Sequence, residues 1–146
     1  MVSVIQISDK DIDLCYELDS STISLWSKKQ WNNEFRKKDI KVLGLLHANL
    51  VIGICVFQVI LDEVQINYFV IKQKFRKKGF GSYLMSYLIK HCEKLNVNKL
   101  FLEVSQSNVK AEKFYASFDF FTIGIRRNYY RDGSNALLKE KTLTTK

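Results

Sequence analysis

Proline is absent from the 146 residues, glycine occurs six times, cysteine three times and histidine twice. Each shortage excludes something. With no Pro/Gly-rich stretch, internal repeat or low-complexity segment, nothing divides the chain, and residues 1–146 read as a single domain. Cys15, Cys55 and Cys92 are far apart, odd in number and form no C-x-x-C pair, so neither a disulfide framework nor a zinc knuckle is indicated. They read as buried thiols in a reducing compartment. With His47 and His91 as the only histidines and no G-x-S-x-G elbow, a Ser- or Cys-based acyl transferase lacks its parts, and so does a metal centre. Apolar runs such as Leu50–Phe57 are far shorter than a membrane span, and the N-terminus lacks the basic-then-apolar layout of a secretory signal. A cytoplasmic protein that makes no membrane contact is expected.

What is present is an apolar fraction of 47% beside 26% charged residues, the balance of a folded globular domain. The length suffices to bury a core without disulfides or metal. Lysine and arginine outnumber the acids to give a net charge of +8, which attracts phosphate-rich partners, either nucleic acid or an anionic cofactor. The sign of the charge does not choose between them.

Hydrophobic patterning predicts a strand over Val2–Ile7 and then a helix capped by Ser8, with Ile12, Cys15 and Tyr16 on one side. Ser27 and Gln30 have capping-box spacing ahead of Trp31 and Phe35, which starts a second helix. Lys41–His47 and Leu50–Leu61 form a hairpin about Ala48-Asn49, and Glu63–Ile71 is the next strand. A long helix from Gly79 to Leu95 carries Leu84, Met85, Leu88, Ile89, Cys92 and Leu95 on one stripe and stops at Asn96. Lys99–Ser105 is a strand and Asn108–Phe118 a helix. Phe120–Arg127 and Ala136–Leu143 are a closing pair of strands around a turn at Asp132-Gly133, and Thr142–Lys146 reads as a fraying tail. The order β-α-α-β-β-β-α-β-α-β-β describes a layered α/β (α+β) domain with a mixed sheet and helices on its faces.

The segment Phe75-Arg76-Lys77-Lys78-Gly79-Phe80-Gly81-Ser82 lies between a strand and the long helix. Glycines there let backbone N–H groups close on an anion, and the positive end of the helix dipole adds to the attraction. Lys72, Lys74, Arg76, Lys77 and Lys78 surround it. No third glycine completes G-x-G-x-x-G and no Gly-Lys-Ser/Thr follows, which disfavours a dinucleotide site and an NTPase. A basic turn that merely starts a helix is the plainer alternative.

Glu103 is the only charge between Leu100 and Ser105. A carboxylate in such a strand is costly unless solvated, paired or used, and burial would raise its pKa toward the range of a general base. The alternative is an edge-strand charge facing water. Tyr115, two turns into the helix behind Ser107, either points back toward the strand ends or packs beside Phe114 and Phe118. Tyr129 and Tyr130 near the last turn either close over a ligand or pack across the strands.

Arg76-x-x-Gly79-x-Gly81 resembles the Q/R-x-x-G-x-G/A signature of the GNAT acetyltransferase superfamily. Leu102-Glu103-Val104, Asn108, Ala111 and Tyr115, followed by Ile125-Arg126-Arg127-Asn128-Tyr129-Tyr130, resemble its bacterial branch of ribosomal-protein-alanine acetyltransferases. Similarity extends to Trp26-Ser27 and to Val59-Ile60-Leu61-Asp62-Glu63. The resemblance implies a GNAT fold of about seven strands and four helices, acetyl-CoA as co-substrate, no metal, and a protein N-terminal peptide, that of a ribosomal protein, as acceptor. It implies backbone contacts to the cofactor from Phe69, Val70 and Ile71, with Arg76 and the run Lys77, Lys78, Gly79, Phe80, Gly81 and Ser82 around the pyrophosphate. It further implies Asn108 as a cofactor contact, Glu103 as base, Tyr115 as acid, and Tyr129 and Tyr130 over the peptide. A monomer or weak dimer is expected.

Three positions depart from that pattern: Asp119 stands where glycine is usual, Arg131 where proline is common, and Asn135 where an acid is expected. An N-terminal amine, with a pKa of about 7.7–8.0, needs a milder base than lysine at about 10.4. Acceptors other than a protein N-terminus, such as lysine, a polyamine or a small amine, are the alternative within this superfamily. A basic RNA-binding module using Arg36-Lys37-Lys38, Lys72–Lys78 and Arg126-Arg127 is the alternative outside it, without a recognisable nucleic-acid motif to support it.

Overall fold

A computed structural model describes residues 1–143. Strand β1 (Val2–Gln6) is followed by a single 3-10 turn, Asp9–Asp11, and helices α1 (Ile12–Ser20) and α2 (Lys28–Phe35). Strands β2 (Ile40–His47), β3 (Leu50–Ile60) and β4 (Glu63–Ile71) form an antiparallel run, joined through α3 (Phe80–Lys94) to β5 (Lys99–Ser105). Helix α4 (Val109–Ser117) then leads to β6 (Phe121–Arg126) and β7 (Ala136–Thr142). The seven strands make one mixed sheet in the order β1-β2-β3-β4-β5-β7-β6, in which only β4 and β5 run parallel.

Local chemistry accounts for most boundaries. Ser27 and Gln30 close the expected capping box on α2. Ala48 and Asn49 both take positive φ, the condition for a two-residue hairpin turn matching the strand twist. Ser8 caps the 3-10 turn through Lys10 N and not α1 itself, which begins at Ile12. Asp119 sits at φ 64 just past α4, which explains why glycine is usual there; aspartate is among the side chains that tolerate the left-handed region. Thr142 ends β7 opposite Lys99, and the buried Leu143 just past it donates its N–H to Asn98 O, so these two are tied to the fold and are not part of the expected tail. The remainder of that tail, 144–146, lies outside the described residues.

Two apolar layers flank the sheet. Under α3 and α4 lie Leu84, Met85, Leu88, Leu100, Leu102, Val104 and Tyr115; under α1 and α2 lie Leu18, Trp31, Ile54, Val56, Tyr68 and Val70. Strand β4 serves both through a bulge. Val56 opposes Tyr68 and Phe57 opposes Ile66, which leaves Asn67 as an extra residue. Ile66 therefore faces α3 while Tyr68, two residues on, faces α1 and α2, the reverse of simple alternation. Pairing with β5 stops just before this point, after Gln65 opposite Phe101. A bulged strand bends, and beyond Asn67 the two parallel strands part.

Burial pushes the Cys15 and Cys92 thiols up to about 12, and also raises the Cys55 thiol and the Tyr68 and Tyr115 phenols above their ordinary values. Acids whose folded-state pKa is raised hold their protons more tightly when folded. Their stabilisation is complete below the unfolded values, about 8.5 for thiols and about 10 for phenols, and declines as pH climbs above them. The midpoint of thermal unfolding should be flat from pH 7 to 8 and fall progressively between pH 9 and 11, read by circular dichroism; a midpoint constant to pH 11 contradicts this assignment.

Candidate active site

Where β4 and β5 part, a groove of about 880 Å³ opens through the sheet. It is lined by β4 residues Ile66 to Ile71, by Arg76, Lys77, Gly79, Gly81 and Ser82, by β5 residues Leu102 to Ser105, by α4 residues including Ala111, Phe114 and Tyr115, and by Ile23, Leu25 and Tyr130. Alternation along β5 sets which face each side chain serves. Leu102 and Val104 belong to the layer under α3 and α4 together with Tyr115, so Glu103 projects from the opposite face, toward α1 and α2. A single groove touching both Glu103 and Tyr115 is therefore open to both sides of the sheet.

The α3 end is built for an anion. Lys77 (φ 62) and Gly79 (φ 84) are both left-handed, and glycine is needed at the second for lack of Cβ strain. Helix α3 starts at Phe80 with no side chain capping it and no acid in its first turn, whereas α2 has a full capping box and α4 is capped by Asn108. Its first-turn N–H groups, flanked by Gly81 and Ser82, face the groove without a side-chain acceptor. A Cβ on Gly81 would meet Phe114 at 3.5 Å, an ordinary contact, so the fold itself does not demand glycine there.

The expected cofactor residues separate by role. Arg76 lines the groove with its Nε donating to Ile71 O at 2.8 Å, bracing the end of β4. Lys77, Gly79, Gly81 and Ser82 line the groove; Lys78 does not, and Phe80 turns away to stack on His47 (5.2 Å) and Phe75 (6.1 Å). Lys72 N donates to Ile52 O on β3, while Ile71 O points away to Arg76. By alternation the N–H groups of Phe69 and Ile71 lie on the free edge of β4, and those of Val70 are committed to β3. Asn108 lines the groove and uses its Oδ1 to cap α4 at Ala111 N, 3.2 Å, which leaves its amide nitrogen uncommitted to that cap.

Glu103 is not deeply buried; β5 pairs with β7 along its whole length, but its other side is paired with β4 only as far as Phe101, so Glu103 borders the gap between the two strands. Its side chain is 27% exposed and lies 3.6 Å from Arg126 Nε. Tyr115 is 9% exposed, and its hydroxyl makes no protein hydrogen bond among the described residues. Burial pushes its pKa above the ordinary phenol value, so the hydroxyl stays protonated. Tyr130 lines the groove, its phenol raised by burial and by the charge of Glu103. Tyr129 does not line it: it is half exposed, stacks edge-on against Tyr130 at 5.1 Å and lies under the Arg126 guanidinium at 5.6 Å. Asn135 accepts from Asn128 N and donates to Gln106, holding the β6–β7 connection through both ends of its amide.

Sequence reasoning passed over the residues that hold the opposite wall. Asp19, at 0% exposure, accepts from Leu25 N, Trp26 N, Trp31 Nε1 and Tyr68 Oη at 2.9–3.0 Å. Bonds to a charged acceptor are worth about 1.5–3 kcal/mol each, and four are enough to offset burial of the carboxylate. The signal was present: Asp19 continues the apolar stripe of Ile12, Cys15 and Tyr16, where a charge is out of place. Glu34 likewise follows Trp31 by three and is 6% exposed.

Among the described residues no group of His, Cys, Asp and Glu is placed to hold a metal ion, and no helix is long and apolar enough to cross a membrane. The Acetyltransferase (GNAT) family model matches residues 9–120. The chain is 30% identical over 131 residues to the [ribosomal protein bS18]-alanine N-acetyltransferase of Haemophilus ducreyi, covering 88% of this chain and 90% of that one. The crystal structure of the ribosomal-protein-S18-alanine N-acetyltransferase from Escherichia coli superposes with a TM-score of 0.93 at 26% identity, covering 100% of this chain and 96% of the other. That of Ard1 from Thermoplasma volcanium gives 0.88 at 25% identity, covering 98% of each. With a family model spanning most of its length and relatives of this likeness along nine-tenths of it, the chain belongs to the GNAT acetyltransferase family and is an acyltransferase.

Proposed function

We propose that this protein transfers the acetyl group of acetyl-CoA directly to the free amine of a protein N-terminus in the cytoplasm, that of a ribosomal protein beginning with alanine. The observation carrying this reading is the groove through the sheet, lined by the uncapped start of α3 on one side and by Glu103 and an apolar wall on the other. The named activity of the Haemophilus ducreyi relative, whose length this chain nearly matches, supports the substrate class.

Acetyl-CoA supplies an activated acyl group and a thiolate that can leave. The first-turn N–H groups of α3, with Lys77 and Arg76 nearby, suit its pyrophosphate. The free N–H groups of Phe69 and Ile71, with the Phe69 C=O, suit an extended amide-bearing arm, in the manner of an added strand. On the opposite face Ile23 and Leu25, both nearly half exposed, and Tyr130 give the peptide apolar contacts. Holding amine and thioester side by side replaces a bimolecular encounter, an advantage measured as effective molarities of about 10^5–10^8 M.

Glu103 accepts the proton of the attacking amine, directly or through a water. The Arg126 contact at 3.6 Å keeps the carboxylate aimed at the mouth while leaving oxygen lone pairs free. A free-edge N–H of β4 stabilises the carbonyl oxygen as charge develops on it. As the C–S bond breaks, Tyr115 donates its proton to the departing sulfur; burial keeps that proton in place until then, and unlike the Tyr68 hydroxyl, which is given to Asp19, that of Tyr115 has no partner among the described residues. Tyr130 closes over the peptide and Tyr129 braces it.

Thiol release from acetyl-CoA in the presence of a peptide beginning with free alanine tests the activity, and the same peptide with a blocked N-terminus should give none. Release with lysine side chains or polyamines alone contradicts the assigned acceptor. Glu103→Gln and Tyr115→Phe should each lower kcat by about 10²–10⁴ while calorimetry shows acetyl-CoA affinity little changed. Unaltered turnover in both removes these roles. Gly81→Ala should leave the unfolding midpoint unchanged or slightly raised, since the nearest atoms to the methyl, on Phe114 and Ile71, lie at 3.5–3.7 Å and alanine favours helix. It should weaken acetyl-CoA binding at least about tenfold, or 1.4 kcal/mol, if the backbone approaches the cofactor closely. Equal affinity contradicts the cradle.

A further inference from the structure

The wall that faces Glu103 across the groove is a loop, Ser21–Ser27, between two short helices, with Ile23 and Leu25 at its exposed tip. Such a segment has little regular structure of its own to fix its height above the sheet. Two buried carboxylates do so instead. Asp19 gathers Leu25 N and Trp26 N from the loop, Trp31 Nε1 from α2 and Tyr68 Oη from β4. Glu34, on the next turn of α2, accepts from Asn67 Nδ2 and is neutralised by Lys37 Nζ at 2.7 Å. Their β4 partners, Asn67 and Tyr68, are consecutive and are the two residues at the bulge where β4 leaves β5.

We infer that Asp19 and Glu34 are positioning residues for the acceptor: they fasten the α1–α2 segment to the bulge of β4 and so hold in place the wall on which the peptide binds. The inference rests on the proposed peptide substrate. Because the bulge both opens the notch and anchors the wall, the cofactor edge and the peptide wall share one reference point. Loosening the anchor lets the wall drift while the α3 cradle, on the other side of the sheet, stays in place. Trp26 and Trp31, the only tryptophans in the chain, pack with Tyr68 at 4.8–5.2 Å inside this anchor, so their emission reports its state.

The test compares Asp19→Asn, Tyr68→Phe, Glu34→Ala and Glu34→Gln in steady-state kinetics with an alanine-first peptide, alongside calorimetry with acetyl-CoA. Asp19→Asn turns a donor toward groups that need an acceptor, and should raise peptide KM by about tenfold or more, with kcat at saturating peptide and acetyl-CoA affinity held within about threefold. Tyr68→Phe should move the same parameter by less. Glu34→Ala should raise peptide KM, and Glu34→Gln, which keeps an acceptor for Asn67, should restore it. Tryptophan emission should shift in Asp19→Asn and not in Glu34→Gln. Peptide KM unchanged in Tyr68→Phe and Glu34→Ala overturns the inference even if Asp19→Asn does not fold. A parallel loss of acetyl-CoA affinity, kcat and peptide KM overturns it too, marking a merely structural role. Wild-type protein that acetylates no N-terminal peptide instead removes the proposed function on which the inference stands.

Discussion

One extra residue in β4 governs the functional half of this molecule. Asn67 has no partner in the ladder with β3, the strand bends there, and the parallel pairing with β5 ends after three residues. Without that bend β4 and β5 would continue side by side and their backbone groups would satisfy one another. With it, the free edge at Phe69 and Ile71 has no strand to pair with, and an unpaired edge is tolerated where something else is meant to bind. The same bend reverses the facing of the side chains beyond it, which puts Tyr68 and Val70 under α1 and α2 and Phe69 and Ile71 toward α3.

Electrostatics divide along the same line. On the α3 side the groups are donors: the uncapped first turn of a 15-residue helix, Lys77, and an arginine that braces the strand end. On the α1–α2 side a carboxylate faces the opening, tempered by one guanidinium at 3.6 Å. The two mouths of one passage thus differ in sign, as the proposed polyanion and amine require. Between them stands a phenol that burial keeps protonated, which suits proton donation to a sulfur leaving from the middle of the sheet. The net charge of +8 adds a general attraction for the anionic ligand without specifying it.

Much of this was legible in the residues. Apolar runs, alternation and helical stripes located every strand and helix to within a few positions, because α3 and β5 each bury one clear face and β3 is a continuous apolar run buried on both. The glycine turn and Glu103 stood out by their neighbours. The bulge did not: beyond Asn67 the run Tyr68–Ile71 is apolar at every position, so a shift of one residue leaves no trace in the pattern. The placing of β7 between β5 and β6 is a tertiary choice that local sequence does not encode. Tyr129 and Tyr130 are adjacent and chemically alike, and only the fold separates the one that lines the groove from the one that supports it. Asp19 was hidden by its type: an acid near a helix end reads as solvated until four donors are seen around it.

Amide hydrogen exchange resolved at single residues tests the central claim, that the free edge of β4 beyond the bulge receives the cofactor. In the protein alone, the amide of Val70, bound into the ladder with β3, should be protected, and those of Phe69 and Ile71 should exchange faster. Saturating acetyl-CoA should slow Phe69 and Ile71 selectively, along with the first-turn amides of α3. Cofactor bound with no change at Phe69 and Ile71 would mean that this edge is not where it lies.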